Sequence, residues 1–165
     1  MLDTKPCITY GSQCFREHND LGFGVIGYED ALRVSSNTFF YQVGYGVGVD
    51  EINKVSRKLG FHSLSGIEIS EQENIGLVAS SEWAKAGRGW GQPGRTPWVP
   101  EDIASMSIGQ MVVQVTPMQV ARAYAVIANG GYLVTPYLVK KDEEFLYDQT
   151  RIKLDIDPKH IKLIN

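Results

Sequence analysis

The sequence carries little excess charge of either sign: 16 Lys and Arg stand against 19 Asp and Glu, a formal net charge of −3 over 165 residues. Its basic residues are scattered rather than gathered in one stretch, so the electrostatic footprint of a nucleic-acid binder is missing. Long apolar runs are missing too. None approaches the ~20 residues that cross a bilayer. Met1 to Thr9 lacks the charged, apolar and small-residue succession of a secretory leader. The reading is therefore no membrane segment and no targeting signal within this chain.

Histidine is scarce. His18, His62 and His160 lie far apart, and none has Cys, Asp or Glu partners at metal-ligand spacing. They read as ordinary solvated or loop residues, and no metal or other cofactor is expected. The carboxylates Glu68, Glu71 and Glu73 read as a solvated face, and Asp142, Glu143 and Glu144 as a charged turn after two lysines. Cysteine is limited to Cys7 and Cys14, whose spacing fits no zinc or redox motif. Two free thiols are expected. A local disulfide is the other reading, suited to a protein that works outside the cytoplasm.

What is present is ordinary globular material. Hydrophobic residues make up 43% of the chain, enough to build a core in one domain of this length. Residues 1–27 read as loop, punctuated by glycines at 11, 22, 24 and 27. A helix is expected from Tyr28, with Glu29 and Asp30 where carboxylates suit the helix dipole. Ser35-Ser36-Asn37 then breaks the pattern. Asn37 is placed to cap a second helix that turns Phe39, Phe40 and Val43 inward. Asp50 caps a third helix, Glu51 to Leu59, and Gly60 stops it.

Residues 61–102 read as mostly irregular. A short strand at Ile67-Glu68-Ile69 and a short helix capped by Ser80 or Ser81 interrupt them. Gly87 to Pro100 is a long loop crowded with Gly, Pro and Trp. Its Trp90 and Trp98 argue against disorder; the loop either covers a binding cleft, with Trp98 the candidate substrate contact, or plugs an edge of the core. Thr116-Pro117-Met118-Gln119 is a capping box with Pro at the first helical position. The helix it opens ends at Asn129-Gly130-Gly131. A strand from Tyr132 to Val139, another at Ile152-Lys153-Leu154, and a helix opening at Asp157-Pro158 complete a chain that is mainly α.

Ser35 and Asn37 are the residues most suited to chemistry. A serine hydroxyl both donates and accepts, so it can pass a proton. An asparagine amide can hold a substrate amide by giving one hydrogen bond and taking another. Two residues apart at a break between helices, they could face one cleft, although the tripeptide by itself is a weak signal and reads first as a helix cap beside an ordinary surface serine.

The surroundings carry more. Ala31-Leu32-Arg33-Val34-Ser35-Ser36-Asn37-Thr38-Phe39-Phe40-Tyr41 resembles the second motif of class B penicillin-binding proteins, the monofunctional transpeptidases of cell-wall synthesis. Leu59-Gly60-Phe61 and Ser65-Gly66-Ile67-Glu68 resemble the intervening Phe-Gly and Thr-Gly-Ile-Asp elements. Ser107-Ile108-Gly109-Gln110, Val115 to Ala121, Ala128-Asn129-Gly130-Gly131 and Pro136 continue the family order, which holds from about Gly22 to Val139. The nearest pattern is that of the elongation-type enzymes, penicillin-binding protein 2. Three places depart from it: Met111 stands where the family has glycine, Glu68 replaces an aspartate, and Gln72 to Ile75 does not follow Pro-Gly-Glu.

The resemblance implies a serine-type D,D-transpeptidase that cross-links peptidoglycan stem peptides and binds β-lactams as an acyl-serine. It casts Ser35 as proton relay and Asn37 as a substrate-amide ligand. It also implies a parent protein at the cytoplasmic membrane, with its catalytic domain outside the cytoplasm, partnered by a polytopic glycosyltransferase. The family nucleophile lies in a Ser-x-x-Lys motif before Ser35, and a Lys-Thr-Gly strand follows the last block. Neither pattern occurs in the 165 residues. Residues 1–165 are therefore expected to be the helical subdomain of the β-lactamase/transpeptidase-like α/β fold, between those motifs and lacking most of the sheet, and inactive alone. A β-lactam sensor or β-lactamase relative, and a non-catalytic interaction module of the same fold, are the competing readings.

Overall fold

The computed structural model describes residues 1–86, 98–139 and 151–164. They form two compact units, Met1–Asn53 with Ala79–Val113, and Lys54–Val78 with Gln114–Asn165. Among the described residues helix predominates and every sheet is two-stranded, in keeping with the mainly α expectation.

The first unit opens with four short strands, β1 (Leu2–Thr4), β2 (Cys7–Tyr10), β3 (Gln13–Arg16) and β4 (Gly24–Ile26), where the sequence reads as loop. Strands of three or four residues are too short to show alternation. β1 pairs antiparallel with β4, Leu2 opposite Ile26. β2 and β3 form a hairpin with Cys7 opposite Arg16 and Tyr10 opposite Gln13. Its two-residue turn starts at Gly11 with φ 61°, a left-handed value that glycine adopts without strain. Cys7 and Cys14 are joined by a disulfide, with Cα atoms 5.7 Å apart, so the free-thiol expectation is overturned: the hairpin register, hidden in the sequence, brings them within bonding reach.

Helices α1 (Tyr28–Arg33), α2 (Asn37–Val47) and α3 (Val49–Lys58) follow. α2 is capped by Ser36 and not by Asn37, which is its first helical residue. α3 starts earlier than expected, so Asp50 lies inside its first turn. The Asp50 carboxylate instead accepts the Ser81 backbone N–H at 2.8 Å. After β5 (Leu77–Val78), helix α4 (Ser81–Lys85) is capped by Ser80, whose hydroxyl accepts the Trp83 N–H. Residues 87–97 of the Gly/Pro/Trp loop, Trp90 among them, lie outside the described residues. Pro100 opens a helix, α5 (Pro100–Ser107), where irregular chain was expected. Asp102 accepts the Val99 N–H at its start.

α2 packs on α5, β1 and β3. The helix pair approaches closely because Gly44 faces Ser107: a Cβ on Gly44 would lie 2.6 Å from that of Ser107 and nearer still to its Oγ. Ala31, Phe39, Tyr41, Ala104 and Met106 form the centre of this core. Tyr28, Phe39 and Phe40 meet edge to face nearby.

In the second unit, β6 (Val113–Gln114) leads into α6 (Pro117–Ala128). The capping box forms as expected. The Thr116 hydroxyl accepts the Gln119 N–H at 3.2 Å, and Gln119 Oε1 accepts the Thr116 N–H at 3.0 Å. β7 (Tyr132–Val134), shorter than the expected strand, pairs antiparallel with β8 (Arg151–Lys153), and α7 (Pro158–Ile164) follows. The charged turn at 142–144 falls outside the described residues.

Ile67–Ile69 is not a strand, because local side chains take the place of a ladder partner. The Ile67 N–H donates to Ser65 Oγ. The Ser65 N–H and hydroxyl both donate to the Glu73 carboxylate, which moves Glu73 out of the solvated acidic face. Buried Arg122 donates to the carbonyls of Val134 and Leu64, and burial draws its pKa down. Among the described residues no cluster of His, Cys, Asp and Glu is arranged to hold a metal, and no helix is long and apolar enough to cross a membrane.

Candidate active-site turn at the start of helix α2

Four helices end in the same way. The N–H of the residue after the last cap bonds back three residues, and the next N–H bonds back five. For α3 these bonds are Gly60 N–H to Arg57 and Phe61 N–H to Ser56. For α5 they run from Gly109 and Gln110 to Met106 and Ser105. For α6 they run from Gly130 and Gly131 to Ile127 and Val126. For α1 the donors are Ser35, to Leu32 at 3.1 Å, and Ser36, to Ala31 at 2.9 Å. This stop needs a left-handed residue at its turning point, normally glycine. Gly60, Gly109 and Gly130 fill it with φ of 90°, 73° and 81°. At α1 the same place is held by Ser35, with φ 54°.

A side-chain-bearing residue in that conformation costs about 1–2 kcal/mol. Ser35 is exposed, so no packing of its own side chain compensates. Such strain persists only where the surroundings over-determine it, and it gathers at functional sites. The turn hands the chain directly to α2: Ser36 caps the helix through Phe39 N–H at 3.2 Å, and Asn37 is its first, half-buried residue.

Below the turn lies a residue that sequence reasoning missed. Glu17 follows β3, and its side chain is fully excluded from solvent. Its Oε2 accepts the Ser36 hydroxyl at 2.6 Å, the Thr38 hydroxyl at 2.8 Å and the Thr38 N–H at 3.0 Å. Its Oε1 accepts the Asn37 N–H at 2.8 Å and the His18 N–H at 3.0 Å, with His18 Nδ1 at the same distance. Burial pushes the Glu17 pKa up. The hydroxyls of Ser36 and Thr38 and the amides of Thr38 and Asn37 outweigh it, and hold the group at about 2. It is a buried carboxylate at a helix N-terminus, where peptide dipoles favour negative charge.

Ser35 thus lies in the turn between α1 and α2, and Asn37 opens α2 two residues on. Trp98 is half-buried just ahead of α5. Its indole Nε1 is buried without an acceptor among the described residues, and no hydrogen bond or ring contact joins it to Ser35 or Asn37.

The model of the penicillin binding protein transpeptidase domain matches residues 2–165. The chain belongs to that family. Among curated relatives, the peptidoglycan D,D-transpeptidase MrdA of Haemophilus influenzae is 36% identical over 129 residues, covering 78% of this chain and 19% of that protein. Among solved structures, Pseudomonas aeruginosa PBP2 in complex with WCK 5153 superposes with a TM-score of 0.80 at 27% identity, covering 98% of this chain and 36% of that one. The Helicobacter pylori PBP2–MreC complex gives 0.84 at 24% identity, over 99% and 29%, a likeness of fold. The chain spans about a fifth of the length of the curated relatives it matches.

Proposed function

We propose that this chain is the helical part, between the Ser-x-x-Lys and Lys-Thr-Gly motifs, of a serine-type peptidoglycan D,D-transpeptidase that cross-links stem peptides and is acylated by β-lactams. In this reading Ser35 relays a proton between the attacking serine and the leaving amine, and Asn37 holds the substrate amide. The observation that carries it is the left-handed Ser35, the one serine in a place that three other helices fill with glycine, set in a family-matched chain. The Cys7–Cys14 disulfide favours a parent whose catalytic domain lies outside the cytoplasm. The same reading gives the parent a membrane location and a polytopic glycosyltransferase as partner, and leaves Trp98 a contact for substrate.

The chain on its own does not acylate. Ser35 has no lysine one helical turn away, so its hydroxyl is a weak nucleophile at neutral pH, and the Lys-Thr-Gly strand that would anchor the drug carboxylate is not among these residues. Purified chain incubated with a fluorescent penicillin should show no band on a denaturing gel and no added mass. A stoichiometric mass increase mapping to Ser35, or to any other serine here, would refute the assignment of roles.

A further inference from the structure

We infer that Glu17 is a positioning residue for the transpeptidase reaction: its buried carboxylate holds the turn that presents Ser35 and Asn37. The inference rests on the roles proposed above for those two residues.

The contacts are concentrated on the motif. Apart from its neighbour His18, every donor to Glu17 belongs to residue 36, 37 or 38. A buried carboxylate is costly unless its lone pairs are filled, and the serine cap fills only one of the amides left free at this helix start. Ser36 already caps α2 through Phe39 N–H. Glu17 adds acceptors for the next two free amides, Asn37 and Thr38, and fixes the Ser36 hydroxyl that does the capping. With residues 36–38 tied to one carboxylate and the amides of Ser35 and Ser36 tied back to α1, Ser35 has no relaxed φ available to it. Glu17 therefore maintains the strained turn.

The carboxylate is itself held from behind. The Glu17 N–H donates to the Pro6 carbonyl at 2.9 Å, closing the base of the β2–β3 hairpin that the Cys7–Cys14 disulfide staples. Tyr10 of that hairpin stacks on Tyr45 of α2, and Phe15 meets Tyr41 edge to face. The group that fixes the start of α2 thus comes from a cross-linked element already packed along the same helix.

The test uses the full-length protein that carries this sequence, labelled with a fluorescent penicillin. Two quantities are read: the fraction labelled at saturation and the acylation rate of that labelled fraction. Glu17→Gln turns two N–H donors toward the Ser36 and Thr38 donors. It should slow acylation of the labelled fraction about ten- to a hundredfold, the scale of a small misplacement of catalytic groups. Glu17→Asp keeps the charge but is one methylene short. It should fold, slow acylation by at least about threefold, and fall between wild type and Glu17→Gln. Thr116→Ala, which removes a helix cap in the other unit, should leave that rate unchanged. If both Glu17 variants lower only the fraction labelled, with wild-type rate in the remainder, Glu17 is merely structural and the inference is overturned. Ser35→Ala separates the two levels. If Ser35→Ala slows acylation while the Glu17 variants do not, only the inference fails; if Ser35→Ala acylates at the wild-type rate, the proposed roles fail and the inference goes with them.

Discussion

Replacing Ser35 by glycine should make this protein more stable, and the same change should harm the reaction. The turn needs φ 54° at this position. A Cβ there costs about 1–2 kcal/mol, from its closeness to the following carbonyl. Glycine removes that cost but brings extra freedom to the unfolded chain, worth roughly 0.5–1 kcal/mol against it. The net gain is about 0.5–1 kcal/mol. Ser35→Ala is the control: it removes the exposed hydroxyl, keeps the Cβ, and should leave stability close to that of wild type. Urea unfolding followed by tryptophan fluorescence reads the difference. With a slope of ~1–3 kcal/mol/M, the Gly variant should unfold ~0.2–1 M later than the Ala variant. If the glycine variant is no more stable than the alanine variant, Ser35 is unstrained, and the case for the turn as a functional compromise collapses.

Three further outcomes can be checked on the same chain. Gly44→Ala gains ~1 kcal/mol of helix propensity but drives a methyl to 2.6 Å from the Ser107 Cβ. Overpacking of about 2–3 kcal/mol should win, and adding Ser107→Gly should recover most of the loss in a double-mutant cycle; additivity in that cycle would dismiss the close approach of α2 and α5. Thr116→Ala should cost ~0.5–2 kcal/mol through the lost cap, and an unchanged denaturation midpoint would remove that cap from the account. Glu17 has a folded pKa near 2 against an ordinary value of 4.5. Because the folded value is the lower one, its contribution is complete above about pH 4.5 and is lost as pH falls toward 2, worth on the order of 3 kcal/mol. Urea midpoints measured from pH 7 to pH 2.5 should therefore fall more steeply for wild type than for Glu17→Gln; parallel curves would contradict the assignment.

Local chemistry was legible and distant pairing was not. Thr116, Ser80 and the glycine stops announce themselves within four or five residues, and the helices they bound appear where the pattern puts them. Ser35 and Asn37 stand out in the sequence only through their neighbours, and their chemical roles remain a proposal. Glu17 does not stand out, because nothing around it in the chain hints that a hairpin would carry it 19 to 21 residues on, to Ser36 and Thr38. The Cys7–Cys14 bond was missed for the same reason: its cause is strand register. α5 was missed because its start sits against a loop dense in glycine and proline. Met111 stood out as a departure from the family's glycine, and it takes φ 52°. The family preference thus marks a backbone need that this chain meets with a side chain in place.

Gln119 shows how one amide can join a local cap to distant parts of the chain. In the sequence it is the last letter of a capping box. In the fold its oxygen accepts the Thr116 N–H, while its nitrogen donates to the carbonyls of Ser63 and Ile75, 56 and 44 residues away. The local half of this arrangement requires only the first turn of α6, which forms in microseconds or less, whereas the other half waits on long loop closures. In the folded unit the cap contact fixes the plane of the amide, and with it the direction of the nitrogen that meets both distant segments. One ordered side chain thus serves a helix cap and two long-range contacts, so its rotamer entropy is lost once for three hydrogen bonds.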